Sequence, residues 1–390
     1  MQLLIRLFIK DYKNIQNQKV RQQYGMLGSA AGIFLNLLLF TGKFLAGMIT
    51  SSIAITADAF NNLSDAGSSV LMLVGFKMAG RPSDSRHPFG HGRIEYLAGL
   101  AVSMAIMLMG IELMKSSFGK VLHPTMVIFQ GISVGVLLLS IATKGWMFFF
   151  NRKLGEKISS SAMKATAIDS LSDAIATSVV VIGITISHFT GLLIDGYLGV
   201  LVAAFIIYTG YNTAKDSLSP LLGQAPDPEL VADVENTVLN YPEVVGIHDL
   251  IIHNYGPGQI MVSLHAEVPC DMDVIHAHDV IDVIEFELQQ KFDCEATIHM
   301  DPIAINDEET MLLRQRVSQL VTEMDPRMSI HDFRITTGPS HTNLIFDVVV
   351  PHRFYLDDET IRQKIKTAIY DWEEKTYYAV IHIDKSYIGK

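Results

Sequence analysis

Residues 53–78 read IAITADAFNNLSDAGSSVLMLVGFKM, and the reading of this stretch decides the fold. It is about as long and apolar as one crossing of a bilayer core requires, yet it holds Asp58, Asn61 and Asp65. Asn61 and Asp65 stand four residues apart, so they share one face of a helix. Asp169-Ser170-Leu171-Ser172-Asp173 repeats that spacing in a second apolar run. A carboxylate at mid-bilayer depth costs roughly 2.5–3.5 kcal/mol even on a lenient insertion scale. Neither run offers a lysine or arginine at matching depth, so the three aspartates call for a partner. A dication shared by the two helices meets that need; serines and water are the blander alternative. Ala57, Ala59, Ala66, Gly67, Ala174 and Ala176 beside these groups predict close approach of the two helices.

Around these motifs the chain carries six apolar runs of spanning length, near Met26–Gly47, Ile53–Met78, Tyr96–Met114, Met126–Phe149, Ala162–Ile186 and Leu192–Tyr211. Nearly half of the 390 residues are hydrophobic (49%), only 18% are charged, and the mean hydropathy is +0.28. That balance is too apolar for an ordinary soluble protein. Arg6, Lys10, Lys13, Lys19 and Arg21 precede the first run. Arg81, Arg86 and Arg93 follow the second, and Arg152, Lys153 and Lys157 follow the fourth, against Lys115 and Lys120 on the opposite side. The positive-inside rule therefore places both termini in the cytoplasm. Residues 1–25 carry no cleavable signal and read as an amphipathic segment at the membrane surface. Lys43 and Asp195, near the outer ends of their runs, are expected to snorkel or cap. Asp58 is a possible ligand or packing group, and Asn36 and Glu112 read as interhelical contacts.

The texture then becomes that of an α+β fold. Ile247-His248-Asp249 recurs as Ile330-His331-Asp332, and Ile298-His299-Met300-Asp301 as Ile381-His382-Ile383-Asp384, both at an offset of 83 residues. Such self-similarity predicts two successive ferredoxin-like α-β-β-α-β modules. The expected organisation is thus a surface segment (1–25), a six-helix membrane domain (26–215), a first tail module (216–303) and its repeat (304–390).

A net charge of −11 argues against a nucleic-acid partner, and Cys270 and Cys294 form no disulfide framework. Neither an HExxH pair nor a nucleophile elbow is present to support an intramembrane hydrolase. A merely anchored sensor or scaffold would have no use for intramembrane aspartates.

At the paired motifs the chain resembles the cation diffusion facilitators, homodimeric proton-coupled metal exporters whose second and fifth helices each give a pair spaced i, i+4. The resemblance covers about Gly25 to Pro302. It implies a transport site at Asn61, Asp65, Asp169 and Asp173, worked by alternating access with protons displacing the metal, and no enzymatic step and no prosthetic group. Zinc-carrying members present histidine in this quartet, whereas one amide and three carboxylates suit a harder cation. Mn2+ is favoured, in line with the manganese-type bacterial branch, with Fe2+ next and Zn2+ or Co2+ as alternatives. The short 151–161 loop, without a histidine-rich insert, points to a bacterial inner membrane.

The same resemblance implies a second site in the loop, at Asp84, His87 and His91, where two imidazoles and a carboxylate can chelate. An elbow whose histidines bond the backbone is the alternative. It further implies regulatory metal binding in the first tail module by His248, His265, His278, His299 and Asp301. His299 and Asp301 alternate along a strand and face the same way. The second module retains His331, His382 and Asp384, has Asp347 where the first has His265, and lacks a counterpart of His278. Its metal binding is left open. His253, His276, His341 and His352 read as surface histidines.

Overall fold

The computed structural model describes residues 2–15, 17–50, 53–123, 131–190, 194–257, 259–304, 307–338, 340–351, 354–372 and 376–385. The expected starts of the fourth and sixth runs, at Met126 and Leu192, and His352 lie outside these residues, as do the side chains of Ala57 and Asp195. The chain divides into two units, Met1–Gln224 with Tyr255–Gly258, and Ala225–Asn254 with Gln259–Lys390.

The first unit is helical throughout: α1 (Gln2–Phe8), α2 (Gln18–Thr50), α3 (Ile53–Ala79), α4 (Ile94–Leu122), α5 (Gly131–Lys157), α6 (Ser161–Thr190) and α7 (Asp195–Leu218). Stretches of α2, α4, α5, α6 and α7 are each long and apolar enough to cross a membrane. The 27 residues of α3 form an unbroken helix that carries Asp58, Asp65 and Lys77. The preferred helix pairs are α2 with α3, α4 with α7 and α5 with α6; α6 also packs on α7 and α4, and α3 on α4. A common apolar core contains Tyr24, Phe76, Ile106, Phe150, Leu154, Met163 and Ile206. Ile5 and Ile9 of the N-terminal segment are buried in that core, while Leu7 and Phe8 are exposed.

Close approach through small residues falls elsewhere than the paired motifs suggested. A Cβ on Gly67 would meet nothing within 4 Å. A Cβ on Gly110 would stand 2.8 Å from Ile207, and one on Gly210 would stand 2.8 Å from Met107. Glycines thus mediate the contact of α4 with α7, where opposing glycines let two backbones meet, and also that of α4 with α6, where a Cβ on Gly99 would stand 2.9 Å from Ala162 Cα.

The second unit contains α8 (Pro228–Leu239), β1 (Gly246–Asn254), β2 (Ile260–Pro269), α9 (Val274–Phe292) and β3 (Cys294–Ile303). The same order then recurs as α10 (Glu308–Met324), β4 (Ser329–Thr337), β5 (Thr342–Val350), α11 (Asp358–Tyr370) and β6 (Tyr377–Lys385). Each helix opens on an aspartate cap, Asp227, Asp273, Asp307 or Asp357, whose side chain accepts a first-turn N–H. Each module has one three-stranded sheet, β1-β2-β3 or β4-β5-β6, with one antiparallel and one parallel pairing. The cores are separate: Val234, Val238, Leu264, Ile284 and Leu288 in the first, and Val317, Val321, Phe346, Val348, Ile361 and Ile365 in the second.

The 83-residue repeat extends to an irregularity of the backbone. The β1–β2 register shifts between His248 and Ile251, and the β4–β5 register shifts between His331 and Arg334. Inside each bulge an aspartate takes the left-handed conformation, Asp249 at φ 49° and Asp332 at φ 53°. Aspartate tolerates that region better than most side chains, and the bulge re-aims its carboxylate.

Candidate metal centres

Helix α3 brings in Asp65 and α6 brings in Asp169 and Asp173, all three largely or fully buried. The group that joins them comes from a third helix. Lys144 of α5, only 2% exposed, places Nζ 2.7 Å from Asp65 Oδ2 and 2.5 Å from Asp173 Oδ2. Asp169 is within Coulombic reach of the same ammonium. The expectation of no basic partner is confined to the two runs that carry the aspartates, and that partner comes from a third helix. The signal was a lone lysine inside an apolar run, whose long side chain reaches across to two neighbouring helices. Three carboxylates and one ammonium leave a formal charge of −2, which one dication neutralises. Asn61 lies one turn before Asp65 on α3 and is exposed.

Some other polar groups of the bundle find partners of their own, whereas the buried Oδ1 of Asn36 has no hydrogen-bond partner among the described residues. Lys43 does not snorkel: it is buried and pairs with Asp58 at 2.8 Å, joining α2 to α3, because a lysine head cut off from water needs a counter-ion. Asn36 is buried and Glu112 exposed. At one end of the bundle Arg21 grips buried Glu95 with two hydrogen bonds, 2.5 and 2.9 Å, and Ser160 donates to the same carboxylate at 2.5 Å.

In the 80–93 loop the structure gathers Asp84, His87 and His91, with candidate ligand atoms within 4.8 Å of one another. His87 Nδ1 is 3.4 Å from Asp84 Oδ1, and His91 Nε2 is 3.6 Å from Asp84 Oδ2. The backbone N–H groups of His87 and Arg86 donate to Asp84 at 2.8 and 2.9 Å and hold its carboxyl below the usual carboxylate range. The turn thus fixes an ionised carboxylate against two imidazoles without a helix.

In the first tail module, strand register produces the cluster. His248 pairs with His265 across β1–β2, and His265 with His299 across β2–β3, so three imidazoles form one row. Asp301 anchors that row: Oδ2 is 2.7 Å from His265 Nδ1 and 3.2 Å from His248 Nε2, and Oδ1 is 3.2 Å from His299 Nε2. His278 sits apart from the strand row on α9, 70% exposed and facing Asp282 at 3.4 Å. The second module builds the same row from His331, Asp347 and His382, with Asp384 3.3 Å from His331 and 3.0 Å from His382. Burial holds the Asp347 carboxyl above its ordinary range.

Two family profiles match the chain, one described as the cation efflux transmembrane domain over residues 29–222 and one as the cation efflux protein cytoplasmic domain over residues 226–303. An uncharacterized transporter of Methanocaldococcus jannaschii is 31% identical over 68% of this chain and 94% of its own length. The cation-efflux pump FieF of Salmonella newport is 28% identical over 73% of this chain and 96% of its own. Both relatives are matched almost end to end by part of this chain, and both profiles stop before the second tail module.

Proposed function

Because this chain belongs to the cation diffusion facilitator family, a family of cation efflux transporters spanning the membrane several times, we propose that it exports Mn2+, with Fe2+ as the nearest alternative, from the cytoplasm in exchange for protons. In this reading it is a homodimer in a bacterial inner membrane, α3 is a sixth span, and both termini face the cytoplasm.

The observation that carries the reading is the buried group of Asp65, Asp169 and Asp173 around Lys144. All the carboxylate donors are oxygens, which suits hard divalent cations better than imidazole-preferring zinc. Lys144 acts as a tethered stand-in for the cargo. On the cytoplasmic side a dication displaces its ammonium from Asp65 and Asp173, and the lysine remains nearby, so the loaded site is neutral. Asn61 completes the oxygen shell as the helices close. On the outer side protons compete for the carboxylates, the metal leaves, and the ammonium returns. A neutral loaded site lowers the cost of moving a dication through a low-dielectric bundle. The loop group at Asp84, His87 and His91 and the strand row of the first tail module serve cytoplasmic metal capture and sensing, the latter together with His278 when two chains assemble.

Uptake into everted vesicles tests this reading, with Mn2+, Fe2+, Co2+ and Zn2+ in competition and with the proton gradient present or collapsed. Mn2+ accumulation that needs the gradient, and a shift towards Zn2+ in Asn61→His, is the expected result. Zinc accumulation with no manganese transport by the unmutated protein would overturn the assignment of cargo, and gradient-independent accumulation would overturn the exchange.

A further inference from the structure

The second tail module presents chemistry that the family match does not reach. His248 and His331, equivalent under the 83-residue repeat, stack on each other with ring centroids 4.3 Å apart. Their side chains are only 4% and 6% exposed. Neither nitrogen of either ring makes a hydrogen bond among the described residues. Two buried imidazoles with four unsatisfied nitrogens are costly unless something else takes their lone pairs.

Carboxylates of both modules surround them. His248 Nε2 faces Asp301 of its own module at 3.2 Å and Asp332 of the other module at 3.4 Å. His331 Nε2 faces Asp384 of its own module at 3.3 Å, and Asp249 of the other module completes a group whose ligand atoms lie within 4.8 Å of one another. Asp332 thus lies nearer the other module's His248, at 3.4 Å, than its own His331, at 4.0 Å, whereas Asp249 lies 3.5 Å from its own His248 and approaches His331 only within that wider group. Two donors on one tetrahedral metal with bonds of about 2.0–2.1 Å are separated by about 3.3–3.4 Å. The nitrogen–oxygen spacings here match that edge, and they fall where no hydrogen bond forms.

Positive charge is directed elsewhere. Among the described residues the ion pairs of Asp301, Asp332 and Asp384 are all with histidine. Lys385, at the edge of the cleft that holds Asp249, His331 and Asp384, pairs with Asp358. The two modules are also clamped together beside the cluster, where Arg314 of α10 binds buried Glu267 of β2 at 2.9 Å.

We propose that the two tail modules of one chain pair with each other and hold two divalent transition cations between them, one on His248, Asp301 and Asp332 and the other on His331, Asp384 and Asp249. The mixed imidazole–carboxylate donors select borderline cations of the Co2+ and Zn2+ type over Mn2+. His265, His278 and His299 are then left for the contact between chains, and the repeat has a metal-closing role of its own. It supplies, within one polypeptide, the opposite half of a metal-closed interface.

The test is independent of the transport proposal because it uses a full-length Asp65→Ala/Asp169→Ala protein in detergent, in which the intramembrane group is removed. Co2+ is the probe, followed by its visible absorption and by equilibrium dialysis. His331→Gln and Asp384→Asn should each remove about one bound Co2+ per chain, or weaken it at least about tenfold, and Asp332→Asn should weaken the other site. His341→Gln, whose ring packs on Tyr378 away from the cluster, should bind as the parent does. Thermal unfolding without metal identifies any variant that fails to fold. In that event, slowed amide exchange on Zn2+ addition in the parent decides, and protection is expected in β1 and β4 together. Unchanged Co2+ stoichiometry and affinity in folded variants, or Zn2+ protection confined to the first module, would overturn the proposal.

Discussion

Lys144 Nζ stands 2.7 Å from Asp65 Oδ2, with both groups buried and on different helices. The carboxylate therefore has a counter-charge before any metal arrives. A bound cation must compete with a covalently tethered one, which links metal binding to a movement of the lysine side chain.

Lys144→Met should raise the affinity of the empty site for Mn2+ by about tenfold or more, since the metal no longer displaces an ammonium. It should also slow turnover, because the loaded group then carries one uncompensated negative charge. The pH dependence of Mn2+ binding should steepen by about one proton. Equilibrium binding across pH, beside vesicle transport, checks this; unchanged affinity would mean that Lys144 only packs.

Asp169→Ala should abolish transport while the protein still elutes and melts as the parent does. Retained transport in vesicles would remove this carboxylate from the cargo site.

Removing one partner of a buried ion pair leaves the other charged and unpaired, at a cost of about 3–5 kcal/mol. Glu95→Ala should therefore destabilise the bundle strongly, because it strips two hydrogen bonds from Arg21 and one from Ser160. The double change Arg21→Met/Glu95→Leu should restore much of the loss. Unfolding in detergent distinguishes the two outcomes.

Gly110→Val places a branched side chain against Ile206 and Ile207, where even a Cβ would be 2.8 Å from a neighbour. Overpacking of this kind costs about 1–3 kcal/mol, and here it pushes α4 from α7. A lowered melting temperature is expected, with Gly67→Val, facing open space, changing it far less.

The backbone donors of His87 and Arg86 keep Asp84 ionised to lower pH than an ordinary carboxylate. With its proton affinity lowered, Asp84 cannot be the group that releases a loop-bound cation on mild acidification. Mn2+ or Zn2+ binding to the loop should therefore keep its Asp84 contribution on mild acidification, because this carboxyl takes up its proton only below the ordinary carboxylate range. Asp84→Asn should weaken that binding across the same range, and unchanged binding would refute the assignment.

Local pattern was enough for much of this protein. The i, i+4 pairs of α3 and α6, the apolar runs around them and the 83-residue repeat are regularities of the sequence itself, so period and spacing carry them directly. The repeated Ile-His-Asp and Ile-His-x-Asp units imply two like modules, while the order of strands in each sheet comes from the structure. The tertiary structure decided which distant groups meet. Lys144 reaches Asp65 and Asp173 only because α5 packs beside α6, Lys43 finds Asp58 across α2 and α3, and Gly110 rather than Gly67 marks a tight helix contact. The meeting of Asp332 with His248 of the other module depends on a bulged strand and on packing between modules, a relation between distant residues that no local spacing encodes. Periodicity fixes which face of an element a side chain occupies, while its partner is fixed by packing, which long flexible side chains and bulged strands can redirect by several ångströms.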